Sequence, residues 1–198
     1  MAGVRVILAS RSAARRKMLE EAGVKFESVS ADLDEEALTK KMLAAGTEID
    51  GIAPGLARAK ALYVAERNPG ALVIGADQTL DIEGKMMTKA ASVEDAKNKL
   101  KALRGKAHRL ISAVCVVHDD KILWEEARSA NLTMHDFDDV FLDSYAANAS
   151  EALTRSVGAY EIEGEGRKLF SAVAGDMDTI MGMPLAGLMG FLKQEGAL

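Results

Sequence analysis

The stretch Ala71-Leu72-Val73-Ile74-Gly75-Ala76, followed at once by Asp77, constrains this chain more than any other. A short unbroken apolar run after Asn68-Pro69-Gly70 reads as a buried strand, since a strand with one wet face would alternate. It delivers the chain to Asp77, and a carboxylate at the carboxyl end of a buried strand sits where α/β proteins place their chemistry. The two small residues ahead of Asp77 leave room for a ligand to approach. A carboxylate there can hold Mg²⁺ or orient a water.

The rest of the pattern alternates strands and helices. Residues 4–9 form a second apolar run, and Ser10-Arg11-Ser12 can cap a helix over 13–22 that Gly23 stops. Residues 24–29 read as a strand and 35–45 as a helix ended by Gly46. Ile52, Leu56, Ala59 and Tyr63 at helical spacing predict a helix running to about Arg67. Val93, Ala96, Leu100 and Leu103 give another, stopped at Gly105. His108–Val117 and Ile122–Phe137 predict a long hairpin with Asp119-Asp120 at its tip, its second arm exposed on one face. A short helix near 138–147, a mixed region over 173–181 and a final helix from Pro184 complete the chain. Early alternation with a late hairpin implies an α/β protein with a mixed sheet rather than a purely doubly wound one. No repeat or linker interrupts its 198 residues, which suit one domain.

Composition narrows the classes. Hydrophobic residues make up 48% and charged residues 28%, enough apolar mass for a core. The net charge of −5 disfavours a general nucleic-acid binder, although a local basic cluster can still hold a small phosphate. The lone Cys115 lies in an apolar run and reads as a buried small hydrophobe. No window is long and apolar enough for a membrane helix, and the N-terminus is too short in apolar residues for a signal peptide, so the cytoplasm is the expected location.

The polar candidates are spread along the chain. Ser10 to Arg16 opens a helix, whose N-terminus presents free N–H groups and a positive dipole end to an anion. Ser10 and Ser12 add hydroxyl donors, and Arg15 or Arg16 a forked cation suited to phosphate. Asp32, Asp34 and Glu35 follow the second strand. Lys60 lies inside the helix after residue 50, and Lys85 and Lys89 follow the Asp77 segment. His108, His118 and His135 have no metal-ligand spacing, and neither a nucleophile elbow nor a glycine-rich phosphate loop occurs.

Taken in order, these segments resemble the Maf family of nucleotide pyrophosphatases. The resemblance runs from Leu8-Ala9-Ser10-Arg11-Ser12-Ala13-Ala14-Arg15-Arg16 through Asp34-Glu35, Ala57-Arg58-Ala59-Lys60-Ala61 and Gly75-Ala76-Asp77-Gln78. It continues at Lys89 and Leu103 to His108, and closes with Val157 to Gly164 and Gly182-Met183-Pro184-Leu185. It implies an elongated mixed sheet with flanking helices, two lobes and a central cleft, as in inosine triphosphate pyrophosphatases. It implies hydrolysis of a nucleoside triphosphate to the monophosphate and pyrophosphate with Mg²⁺ or Mn²⁺, and a homodimer. Asp77 would be the catalytic acid, described in the family as the proton acceptor. Ser10, Arg15, Glu35, Lys60 and Lys89 would line the cleft, with Asp77 and Glu35 able to hold the metal.

Departures from the family pattern are Ala13 and Ala90, both at usual proline positions, and Ser156 in place of a lysine. Three positions bear on base choice. Ala14, Gln78 and Glu163 differ from the Arg, Thr and Gln of members acting on dTTP and UTP. Gln78 and Glu163 are similar to the subgroup preferring 7-methyl-GTP, while Ala14 is not the aromatic expected there. A modified or purine base is the resulting expectation. The alternative is a non-catalytic nucleotide-binding regulator of cell division.

Overall fold

The computed structural model describes residues 4–198. Strand β1 (Val6–Leu8) leads to α1 (Ala13–Glu21), whose N-cap is Ser12, the hydroxyl accepting from the Arg15 N–H. Gly23 takes φ 76° and ends the helix, a conformation that glycine reaches without strain. Strand β2 is only Glu27–Ser28, shorter than the apolar run predicts. Helix α2 (Glu35–Ala44) is capped by Asp34, and α3 (Ile49–Ala65) follows.

Two sequence expectations change here. Strand β3 spans Leu72–Ile82, so it does not end at Asp77 but runs through it. The helical face of α3 is also rotated. It buries Ile52, Ala53, Leu56, Ala57, Lys60, Ala61, Val64 and Ala65, with Ala59 and Tyr63 only partly covered. The reason is steric. A Cβ on Gly75 would run into the Ala57 carbonyl oxygen and come within 2.7 Å of the Ala61 nitrogen. The Ala53-Ala57-Ala61 row therefore lies directly against β3. Gly75 makes room for a helix rather than for a ligand.

Strand β4 (Lys85–Met87) pairs antiparallel with the end of β3. Helix α4 (Val93–Leu103) buries Ala96, Leu100 and Leu103 and leaves Val93 exposed. The predicted hairpin is β5 (Ala107–His118) and β6 (Lys121–Met134), with Asp119 at φ 54° in its turn. Helix α5 (Asp139–Asn148) is capped by Asp138. The chain then makes α6 (Ala152–Arg155), a 3₁₀ turn over Glu165–Leu169, β7 (Phe170–Ala174) and α7 (Met177–Ile180). Helix α8 (Leu185–Gln194) follows Pro184. Strand order is β2-β1-β3-β5-β6-β7, with β1 parallel to both β2 and β3 and β7 antiparallel to β6. The sheet is mixed, as the alternation implied.

The chain divides into two compact units. The first comprises the chain up to Gln78, Ile111–Arg128 and Gly182–Leu198; the second comprises Thr79–Leu110 and Ser129–Met181. Each has its own apolar core. In the first, Ile7, Ala9, Val73, Ile111, Ala113 and Val117 pack with the alanine row of α3. In the second, Leu80, Leu100, Leu103, Leu132, Leu142 and Tyr160 are prominent. Cys115 is buried in the first core, and burial pushes its thiol up to about 11, which makes it inert filling rather than a nucleophile.

Candidate active site

Side chains alternate along a strand, so Asp77 lies on the same face of β3 as Gly75, the face that α3 covers. Gly75 admits the helix, and Lys60, one residue before Ala61, comes up against Asp77. The Lys60 Nζ lies 2.6 Å from Asp77 Oδ1 and 2.9 Å from Glu35 Oε2. Lys60 and Asp77 are both buried, whereas the Glu35 side chain is 49% exposed at the start of α2. One ammonium thus joins a buried carboxylate to a half-open one.

Strand β1 stops short of this place. Leu8 pairs with Ile74, and the last backbone bond on that side runs from the Ala9 N–H to the Ile74 carbonyl. Asp77 therefore lies beyond the carboxyl end of the neighbouring strand, although its own strand continues. The chain leaving β1 is the Ser10 to Ser12 turn and the N-terminus of α1.

Arg15 fixes that turn to β3. Its Nε donates to the Gly182 carbonyl at 2.9 Å, and its Nη1 donates to the Ala76 carbonyl at 2.8 Å and to Ser10 Oγ at 3.4 Å. Ser10 Oγ also accepts from the Ser12 N–H at 3.2 Å, which leaves its own hydrogen to donate. The sequence offered Arg15 or Arg16 as a forked cation for phosphate. In the structure Nε and Nη1 bind protein oxygens, and Nη2 keeps the remaining two donors of the fork. Burial lowers the Arg15 pKa, opposed by the charges of Asp77 and Glu35. Burial pushes the Asp77 carboxyl above the usual carboxylate range, opposed by Lys60 and Arg15. A strand carboxyl raised in this way is a better proton acceptor near neutral pH than an ordinary aspartate.

The two carboxylates fit a particular kind of metal site. No group of three or more His, Cys, Asp or Glu arranged to hold an ion occurs among the described residues, so an all-protein cage is absent there. Mg²⁺ commonly takes one or two carboxylates and fills its other positions with water and substrate phosphates. Asp77 and Glu35, which converge on the Lys60 ammonium, are carboxylates of the kind such a site could use.

The remaining predicted positions fall elsewhere. Ala14 is partly buried on α1, next to Arg15. Gln78 faces the opposite side of β3 from Asp77, and its Nε2 donates to Ser112 Oγ at 3.0 Å. Lys89 and Glu163 are exposed and belong to the second unit. Sequence reasoning missed the carbonyls of Ala76 and Gly182, because Gly182 is 167 positions from Arg15. It also missed Ser112, which is fully buried. His108 is buried, and its Nε2 lies 2.7 Å from the Tyr160 hydroxyl.

A family model described as "Maf-like protein" matches residues 5–195. The chain belongs to the Maf-like family. The chain is 47% identical over 193 residues to a protein of Caulobacter vibrioides named nucleoside triphosphate pyrophosphatase, covering 98% of this chain and 96% of the relative. It is 41% identical to a Brucella abortus protein named 7-methyl-GTP pyrophosphatase, covering 97% of this chain and 96% of that one. A solved HAM1 protein from Coxiella burnetii shares the fold, with TM-score 0.53 at 13% identity over 96% of this chain and 99% of the other. The expected fold class is thus met from two directions. No helix among the described residues is long and apolar enough to cross a membrane.

Proposed function

We propose that this Maf-like chain hydrolyses a nucleoside triphosphate to the monophosphate and pyrophosphate, with Asp77 accepting the proton of the attacking water. The observation that carries the reading is the joining of Asp77, Lys60 and Glu35 through one ammonium, 2.6 and 2.9 Å from the two carboxylates. A buried carboxylate of raised pKa is a base. The ammonium beside it, the Ser10 hydroxyl and the Nη2 donors of Arg15 suit the polyphosphate, whose charge grows on the departing pyrophosphate. Lys89, in the second unit, is assigned as a further phosphate cation. Asp77 and Glu35 would hold a divalent cation, Mg²⁺ or Mn²⁺, which when bound neutralises phosphate charge and lowers the pKa of water. A regulator that only bound nucleotide would not require this buried base.

The name of the Brucella abortus relative, a 7-methyl-GTP pyrophosphatase, supports a nucleotide with a modified or purine base, while that of the Caulobacter vibrioides relative specifies no base. Ala14, Gln78 and Glu163 are the positions assigned to base choice. A cytoplasmic homodimer that binds neither nucleic acid nor membrane completes the reading; light scattering checks the dimer.

The test is pyrophosphate release from a panel of standard and methylated triphosphates, with Mg²⁺ or Mn²⁺ and with chelator. Asp77→Asn keeps the shape and removes the charge, and should lower kcat by about 10²- to 10⁴-fold. Chelation should abolish turnover. Full activity of the Asn variant, or cleavage of no triphosphate by the parent, overturns the proposal.

A further inference from the structure

We propose that Lys99 is a positioning residue that holds the Lys89 loop in its working shape. The inference rests on the reading of Lys89 as a phosphate cation. Lys89 follows β4 in a stretch, Thr88 to Ala91, with no helix or strand of its own. Such a stretch has backbone groups to satisfy and no ladder to satisfy them. Helix α4 does so from below.

The Lys99 Nζ donates to the Thr88 carbonyl at 2.9 Å and to the Lys89 carbonyl at 2.9 Å, and it lies 3.1 Å from Asp95 Oδ2. An ammonium has three donors, and all three are engaged. Its side chain is only 16% exposed, unlike an ordinary surface lysine. Asp95 closes the arrangement from the other end, because the same Oδ2 accepts the Ala91 N–H at 2.9 Å. The Asp95 N–H in turn is capped by Ser92 Oγ at 3.1 Å. The backbone is thus tied at Thr88, Lys89 and Ala91, on both sides of the residue that carries the proposed phosphate contact.

Two alternatives fit less well. An i,i+4 ion pair with Asp95 alone would be a surface pair of small effect, and it would not need two consecutive carbonyls. A phosphate cation in its own right would need a donor left over, and Lys99 has none. What the arrangement does accomplish is to fix the backbone before substrate arrives. A loop ordered in advance does not lose its freedom on binding, which is the usual advantage of preorganisation.

The experiment is a double-mutant cycle on triphosphate hydrolysis with Lys99→Met and Lys89→Ala. Lys99→Met should lower kcat/KM about tenfold, and Lys99→Arg, whose fork can still reach carbonyls, should recover part of the loss. In the Lys89→Ala background, Lys99→Met should change kcat/KM by less than about twofold, because a residue that acts through Lys89 has nothing left to act on. Hydrogen exchange over residues 88–91 should quicken in Lys99→Met. If Lys99→Met leaves kcat/KM unchanged while Lys89→Ala impairs it, or if the two losses simply multiply, the positioning role is wrong and the Lys89 assignment stands. If Lys89→Ala by itself has no effect, the Lys89 assignment fails and the positioning role falls with it.

Discussion

Lys60 shows how much one side chain decides. Its bond to Asp77 is buried on both partners, with side chains 9% and 10% exposed, while its bond to Glu35 reaches a carboxylate that solvent screens. The Asp77 leg therefore dominates. Breaking a buried ion pair by removing one partner leaves the other charge stranded, at roughly 3–5 kcal/mol. Lys60→Met should lower the unfolding free energy in urea by about 3 kcal/mol, as well as stopping catalysis. Glu35→Gln should change stability by less than about 1 kcal/mol. Equal losses from the two variants would contradict this ordering.

His108 gives the pH dependence. Burial lowers its pKa to about 4 from an ordinary 6.5. The unfolded chain therefore binds a proton that the folded one refuses, so stability is fully present above pH 6.5 and is lost as the pH falls through about 4. Its Nδ1 is buried with no hydrogen-bond partner among the described residues, so a proton taken up there would be left unsatisfied. His108→Gln keeps an amide to meet the Tyr160 hydroxyl and removes the titration. Melting temperatures between pH 7 and 4 should fall less steeply for this variant than for the parent.

At the scale of elements, the contact of α3 with β3 builds the site. Gly75 is the residue that permits it. A methyl at position 75 collides with backbone, the Ala57 carbonyl and the Ala61 nitrogen, and backbone cannot swing aside as a flexible side chain does. Gly75→Ala should destabilise the fold by about 3 kcal/mol and lower kcat, because α3 must withdraw and carry Lys60 with it. A thermal melt and a single activity measurement check both parts. A variant with parental stability would show that α3 is not seated on the strand in this way. The same contact explains the misread face of α3. Ile52, Leu56, Ala59 and Tyr63 satisfy helical spacing, but the buried stripe follows the small Ala53, Ala57 and Ala61, since only small side chains allow so close an approach.

The whole molecule adds a constraint that no element contains. The first unit is assembled from three separated stretches, and the last, Gly182–Leu198, returns after the chain has built the second unit. That last stretch brings the Gly182 carbonyl to Arg15 and stacks Phe191 on Trp124 with ring centroids 5.7 Å apart. A chain ending at Met181 should lose the cooperative melt of the first unit and all activity, although it retains Asp77, Lys60, Glu35 and Ser10. Circular dichroism during heating checks this. A sharp transition at the parental temperature would show that the last stretch is dispensable.

Much of the outline was legible in the residues alone. The N-cap at Ser12, the stop at Gly23, α2, α4 and the β5–β6 hairpin follow from capping chemistry and from periods of 3.6 and 2, which are local properties of a chain. The short extent of β2, the strand β7 and the short helices after residue 150 were not, because a few residues hold such shapes only through neighbours far away in sequence. For the site, residue type and position nominated Asp77 at a strand and Ser10 and Arg15 at a helix start, and the resemblance to the family set Glu35 and Lys60 beside them. Only the tertiary structure decided that one lysine would join two carboxylates, that a glycine would admit the helix carrying it, and that most of an arginine would bind backbone. Those facts depend on close approach between segments tens of residues apart, and no local preference encodes such distances.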